Sequence, residues 1–301
     1  MLSIIICTYK RPELLKKCVS CCLKIIDAIE SELIVVNDDN TASVSVISHP
    51  KICLLNNPKT GLASARNFGA KNAKGDLLLF IDDDIEFETE TVLTMLNHYN
   101  KNGASYNPNW KYSDEMLSIV KGTQFGRFLI ANNLISYRGW VRDLNWQNEI
   151  FEVSKLAGFF FLINKNDFFS INGFNEEFEN QGTEDDELCR RLKAKGIKMY
   201  IDPTIYVNHN ELDRISLENR LVRYSNGAEN RRKAFELGLK EYEIPYSALR
   251  RFVLTIILPF RYLLVLITKL IPNKIQFDSL YFKFCRLLIA IYIFKGYRKS
   301  K

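Results

Sequence analysis

Gly75-Asp76-Leu77-Leu78-Leu79-Phe80-Ile81-Asp82-Asp83-Asp84-Ile85-Glu86 is the stretch on which the fold turns. Leu77 to Ile81 are apolar without alternation, which predicts a strand covered on both faces in an α/β domain. The run then stops on three aspartates, so the strand delivers carboxylates to a sheet edge. Asp82, Asp83 and Asp84 repel one another unless they are solvated or share a cation, and a hard divalent ion prefers such oxygen ligands. A metal site and a solvated acidic turn both remain open on this stretch alone.

Working outward, the chain alternates strands and helices. Residues 2 to 7 read as a buried strand, and Thr8-Tyr9-Lys10-Arg11-Pro12 turns into a helix running from near Pro12 to about Ile29, with proline in its favoured first turn. Leu33 to Val36 form a second strand, ending at Asn37-Asp38-Asp39-Asn40, and Ile52 to Leu55 a third. A helix from about Leu62 to Ala73 leads back to Gly75. This order predicts a parallel, doubly wound sheet. Ligands of such sheets bind outside the carboxyl ends of the strands, where Thr8-Tyr9, Asp38-Asp39 and Asp82 to Asp84 would converge as a nucleotide-and-metal pocket.

From about Tyr99 to Glu152 the pattern blurs into an irregular or short-stranded section. Its Trp110, Tyr112, Trp140 and Trp146 are either packing residues or platforms for sugar rings. Order returns with a strand over Lys155 to Ile163, loops at Gly173 and Gly182, a polar helix over Glu184 to Lys195 and a strand over Met199 to Val207.

The 301 residues, 47% of them hydrophobic, allow a sizeable core, and the net charge of +6 is gathered after Arg250. No basic run interleaved with aromatics forms a nucleic-acid module, so the basic excess points to phosphates or anionic surfaces. Seven cysteines and an N-terminus without signal-peptide character point to the reducing cytosol. Cys18, Cys21 and Cys22 lack a second Cys or His pair at zinc spacing and read as core or spare thiols.

The end of the chain changes character. Phe252 to Ile271 is apolar but broken by Pro259, Arg261 and Lys269, and Leu280 to Phe294 contains Lys283 and Arg286. Neither is a clean membrane span, so helices lying in a membrane interface are expected, with a helical subdomain packed on the enzyme as the alternative. Arg250, Arg251, Lys274, Lys295, Arg298, Lys299 and Lys301 would suit anionic headgroups on the cytoplasmic leaflet.

Over residues 2 to 210 the chain resembles family 2 of the glycosyltransferases. The pieces occur in the family's order: Ser3-Ile4-Ile5-Ile6-Cys7-Thr8-Tyr9, Glu32 to Asp39, Gly61-Leu62-Ala63-Ser64-Ala65-Arg66-Asn67, Gly75-Asp76, Asp82-Asp83-Asp84, Gly173-Phe174, Glu184-Asp185 and His209. The resemblance implies the GT-A (nucleotide-diphospho-sugar transferase) fold, an α/β, Rossmann-like and mostly parallel sheet. A catalytic domain over residues 1–240 and a helical, basic and apolar membrane-associating region over 241–301 are expected.

The same resemblance implies roles. Thr8 and Tyr9 would border the base of the nucleotide, and Asp38 or Asp39 would accept the imide N–H of uracil. Asn37 stands where the family usually has the first of two acids, so both aspartates are carried. Arg66 would bind phosphate or order the acidic loops. Asp82 would reach the ribose or a metal-bound water, and Asp84 would bind Mn²⁺ or Mg²⁺ with His209 completing the shell. Asp83 would join the nucleotide pocket, since three consecutive acids leave the register open. Asp185 would be the catalytic base and Glu184 would hold the acceptor.

The expected protein is a metal-dependent, inverting glycosyltransferase that takes a nucleotide-sugar donor, UDP-sugar favoured. Its acceptor would be a saccharide or glycolipid of a bacterial surface polysaccharide or lipooligosaccharide. It would sit peripherally on the anionic cytoplasmic face of the inner membrane, in an oligomeric state the sequence does not reveal. A polyprenyl-phosphate glycosyltransferase and a non-catalytic nucleotide-sugar-binding subunit are the alternatives.

Overall fold

β1 (Leu2–Thr8) lies at the middle of the parallel part of a nine-stranded sheet. The computed structural model describes residues 1–39, 41–140, 145–178, 182–212 and 215–298. Asn40 of the second strand-end motif and the expected membrane-facing Lys299 and Lys301 lie outside these. α1 (Pro12–Ala28) follows β1 and packs its inner face of Leu15, Cys18, Val19, Cys22, Ile25 and Ile26 into the core. β2 (Ser31–Asn37), β3 (Ile52–Asn56), α2 (Leu62–Asn72) and β4 (Leu77–Asp82) continue the alternation. β1 pairs in parallel with both β2 and β4, and β2 with β3. β2 is buried along its whole length and β4 over Leu78 to Ile81, the environment that unalternated apolar runs require.

Beyond β4 the sheet becomes mixed. A turn at Asp83 and Asp84 joins β4 to the short β5 (Ile85–Glu86), and α3 (Thr89–Asn102) then leads to β6 (Ser105–Lys111). Next come α4 (Asp114–Lys121), α5 (Gln124–Ala131), α6 (Tyr137–Trp140) and β7 (Phe151–Glu152). β8 (Phe160–Asn164), α7 (Lys165–Ser170), α8 (Glu184–Ala194) and β9 (Met199–His209) follow. β8 runs antiparallel to β4, β9 parallel to β6, and β5 antiparallel to β9. The section over residues 99–152, expected to be irregular or short-stranded, contributes the seven-residue β6 to the interior of the sheet. Its signal was hidden because Asn107, Pro108 and Asn109 interrupt the apolar run.

The β-rich unit comprises Met1–Ser113, Ser136–Glu179 and Glu184–Asn210. A second unit comprises Asp114–Ile135, Asn180–Thr183 and Glu211–Lys301. It contains α4, α5, α9 (Leu217–Glu236), α10 (Ala248–Ile257), α11 (Arg261–Leu270) and α12 (Asp278–Arg298). The expected boundary at 240/241 falls inside this unit. Leu217 and Leu221 of α9 and Phe125, Phe128 and Leu129 of α5 share one apolar cluster with Cys285, Leu288 and Ile291 of α12. Burying that common face ties α9 and the α4–α5 pair to the C-terminal helices.

Candidate active site

Four strand ends and one helix start bring charged groups together in the β-rich unit. β1 ends at Thr8, whose hydroxyl donates to Asp83 Oδ2 at 2.7 Å. Lys10 then takes a φ of 57°, in the left-handed region that costs most residues strain. Beyond this turn Arg11 stands at the N-cap of α1, and its Nη1 donates to Asp83 Oδ1 and Asp84 Oδ2, both at 3.0 Å. Arg11 was not singled out from the sequence, although it lies in the Thr8-Tyr9-Lys10-Arg11-Pro12 turn.

The three aspartates point at three different sets of partners. Asp82, at the end of β4, accepts from Arg66 Nη2 at 2.9 Å. Asp83 is buried between Thr8 and Arg11. Burial first, and the neighbouring Asp84 charge second, push the Asp83 carboxyl up to about 6, while Arg11 and Thr8 pull it back. Asp84 is 1% exposed, and its Oδ1 lies 3.2 Å from Nε2 of His209. β5 and β9 bring this pair together, since Ile85 is the register partner of His209 and Asn210 N donates to Asp84 O.

His209 sits inside an aromatic wall. Trp110 and Trp140 approach its ring edge-on at 5.1 and 5.5 Å, and Phe159 stacks at 6.3 Å. Trp110 and Tyr112 are 0% and 2% exposed, so these two are packing residues and not platforms for a sugar ring. Trp140 and Trp146 are half-buried.

Arg66 connects the two acidic motifs. α2 buries it to 3% exposure, and its Nη2 donates to Asp82 and to Gly158 O at 3.2 Å. Its Nη1 donates to Asp185 Oδ1 at 3.2 Å, while Gly158 N donates to Asp185 Oδ2 at 2.8 Å. A Cβ at Gly158 would lie 2.5 Å from Arg66 Nη1 and 2.6 Å from Asp185 Oδ1, so any side chain here would have to displace the Arg66–Asp185 pair. Burial works against the Arg66 charge, but the carboxylates of Asp82 and Asp185 outweigh it and hold the guanidinium protonated. Burial raises Asp185 above the usual carboxylate range, with Arg66 and the Gly158 N–H opposing the shift.

The remaining acids of α8 differ in their partners. Glu184 is 4% exposed and adds to the negative field on Arg66. Glu187 accepts from Arg191 Nε and Nη2 at 2.8 and 2.6 Å, a bidentate pair within the helix.

At the end of β2, Asp38 accepts from Asn57 Nδ2 at 2.7 Å and from Gly61 N at 3.0 Å. Gly61 has a φ of 121°, which a side chain would oppose, and this conformation caps α2. Asp39 uses Oδ1 for Thr41, whereas its Oδ2 is buried with no hydrogen-bond partner among the described residues. Asp39 is therefore the one with an acceptor to spare. Tyr9 is 52% exposed with Lys10 over its ring at 4.9 Å.

The sequence model described as "Glycosyl transferase family 2" matches residues 3–168 of the 301, more than half of the chain. The chain belongs to glycosyl transferase family 2. A second model, described as "N-terminal domain of galactosyltransferase", matches residues 143–212, the stretch that carries Gly158, Asp185 and His209. This family 2 chain is 23% identical over 141 residues to the rhamnosyltransferase WbbL of Escherichia coli (strain K12), covering 46% of this chain and 53% of WbbL. It is 36% identical over 109 residues to an uncharacterized glycosyltransferase of Haemophilus influenzae, covering 34% of this chain and 35% of that protein. The chain thus matches about half or less of the length of these relatives.

Solved structures share the fold. The mannosyltransferase PcManGT from Pyrobaculum calidifontis, in complex with GDP-Man and Mn²⁺, superposes with a TM-score of 0.57 at 13% identity over 99% of this chain and 88% of its own. GalNAc-T7 with UDP, GalNAc and Mn²⁺ gives 0.51 at 16% identity, over 69% of this chain and 43% of its own. These likenesses bear out the α/β, GT-A fold expected from the sequence.

Proposed function

We propose that this protein is a metal-dependent, inverting glycosyltransferase acting on a nucleotide sugar. One observation carries the reading: Arg66 holds Asp82 and Asp185 on the two nitrogens of one guanidinium, at 2.9 and 3.2 Å. The strand-end acids and the helix-start acid are thereby parts of a single site.

Asp84 and His209 fit a divalent cation. A buried carboxylate oxygen and an imidazole nitrogen 3.2 Å apart are spaced as neighbouring ligands of one ion. No group of three or more metal-binding side chains occurs among the described residues, so donor phosphate and water would supply the other positions, as magnesium and manganese sites commonly allow. When bound, Mn²⁺ or Mg²⁺ would neutralise the charge that develops on the leaving diphosphate.

The chain's own residues do the rest. Asp39 offers its free oxygen to the imide N–H of uracil, which needs an acceptor when buried. The N1–H of guanine has the same requirement, so the UDP preference rests on comparing donors. Tyr9, exposed and next to Thr8 in sequence, borders the base, whereas the Thr8 hydroxyl is engaged with Asp83. Asp82 is fixed by Arg66 at the donor side. Asp185, its two oxygens anchored by Arg66 and Gly158 N–H, keeps lone pairs for the acceptor hydroxyl. Its raised proton affinity suits a base that takes the hydroxyl proton as the oxygen attacks the anomeric carbon opposite the diphosphate, giving inversion.

A hydroxyl acceptor, saccharide or glycolipid, needs this base, whereas the phosphate of a polyprenyl carrier is already deprotonated. The bacterial sources of the curated relatives support an acceptor from surface polysaccharide or lipooligosaccharide synthesis. The helical unit supports peripheral attachment at the cytoplasmic face of the inner membrane. The test is calorimetric binding and hydrolysis of UDP-, dTDP- and GDP-sugars with Mn²⁺, Mg²⁺ or chelator. Metal-dependent consumption of one donor supports the reading, and no binding to any donor under any condition would sink it.

A further inference from the structure

α10, a 3₁₀ turn over Leu258–Phe260 and α11 run on as one helical stretch, Ala248–Leu270. Leu249, Phe252, Ile256, Phe260, Leu263 and Leu270 follow one another at steps of three, four or seven residues and are 52–81% exposed. They form one apolar stripe along the outside of the helix. The opposite side is committed inward: Leu254 is part of the apolar cluster that includes Cys285, Leu288 and Ile291 of α12, and Ile257, Leu258, Leu264 and Val265 pack against it.

Charge identifies what covers the stripe. Between Ala248 and Arg298 there are nine Lys and Arg residues against one acid, Asp278. That acid is already held by Arg127, at 2.6 and 2.7 Å. Arg251, the polar-tipped Tyr262 and Lys269, the last paired with Glu218, are spaced by three turns and two turns, so they line one edge of the stripe. Lys274 and the 79%-exposed Ile275 follow at its end. A second copy of this face would bring like charge against like charge. An anionic bilayer matches both features, with acyl chains for the stripe and headgroups for its basic edge.

At 23 residues the helix is long and apolar enough to cross a membrane. Crossing would pull its inner face away from α12 along its whole length. It would also break the 2.8 Å pair of Lys269 with Glu218 of α9.

We propose that the Ala248–Leu270 helix lies in the plane of an anionic bilayer, with its apolar stripe in one leaflet and its inner face still packed on α12. This deepens the membrane-surface reading above and rests on it. Vesicle binding is measured without donor or acceptor, so it can fail while sugar transfer stands.

The experiment is flotation of the full chain with phosphatidylcholine vesicles, with and without phosphatidylglycerol. Binding should be at least about tenfold tighter with the anionic lipid and weaken as salt rises. Phe252→Glu with Leu263→Glu should lower it by about tenfold or more, and Arg251→Glu with Lys274→Glu should abolish the lipid preference. Phe252→Ser with Leu263→Ser, at the same exposed positions, should weaken binding without adding charge, with unchanged melting temperature. Alkaline carbonate should release the bound protein. Retention in carbonate would overturn the in-plane geometry in favour of a crossing helix. Equal binding to neutral vesicles, no binding to either, or concentration-dependent self-association abolished by the same substitutions would overturn the bilayer as the occupant.

Discussion

The acids at the end of β4 and those at the start of α8 are alike in composition and opposite in how they are managed. Asp82, Asp83 and Asp84 emerge where a strand gives way to a turn, and successive side chains diverge to Arg66, to Thr8 and Arg11, and to Arg11 and His209. All three end up facing groups delivered from elsewhere in the chain. In α8 the helical rotation separates the acids instead. Asp185 turns to Arg66 and Gly158, Glu187 folds onto Arg191 one turn on, and Asp186 is 37% exposed at its side chain, 3.9 Å from Lys155. In the proposed site the strand-end cluster contributes all three of its acids, whereas the helix-start cluster divides: Asp185 is the proposed base and Glu184 adds to the field on Arg66, while Glu187 is held within the helix by Arg191.

Replacing the proposed base of the helix cluster is the largest test of this contrast. Asp185→Asn keeps the size and loses the base, and should lower kcat about 10³-fold with donor affinity unchanged, as steady-state kinetics at saturating acceptor would reveal. Full activity would remove the base assignment. In the strand cluster, Asp84→Asn should raise the Mn²⁺ concentration needed for half-maximal donor binding about 10- to 100-fold, read by calorimetry against metal.

Arg66 belongs to both clusters. Arg66→Gln removes a buried cation and leaves Asp82 and Asp185 uncompensated, which should cost about 3 kcal/mol in urea unfolding. It should also move the pH profile. With Asp185 as the proposed base, activity should rise with pH through a pKa held above the usual carboxylate range by burial. Arg66 lowers that pKa, so its loss shifts the acid limb of kcat to higher pH; a shift to lower pH would contradict the shared guanidinium. The smallest catalytic effect belongs to Glu187→Gln. It should cost about 1 kcal/mol of stability through Arg191 and leave kcat within twofold. A large kcat loss there would erase the distinction between scaffold and site within α8.

Much of the β-rich unit was legible because its signals are local. The unalternated runs of β1, β2 and β4 and the helix starts at Pro12 and Leu62 appear where expected. β6 was not legible, because its burial comes from β8 and β9 on either side and its own Asn-Pro-Asn reads as a loop. Arg11 escaped notice for a related reason: an arginine at a helix start looks solvated until the turn at Lys10 and the fold bring Asp83 and Asp84 to it.

Residue type, spacing and hydrophobic period are properties of the chain, so the α/β order, the family, the acidic motifs and the basic apolar tail were settled by the sequence. Partnership is not, because charges more than a hundred residues apart interact only once the chain has folded. Tertiary structure alone decided that Arg66 joins Asp82 to Asp185, that Asp84 faces His209, and that Asp39 rather than Asp38 has a buried oxygen to spare. It likewise decided which side of the Ala248–Leu270 helix faces outward, since an apolar residue is equally suited to a core and to a bilayer until its neighbours are in place.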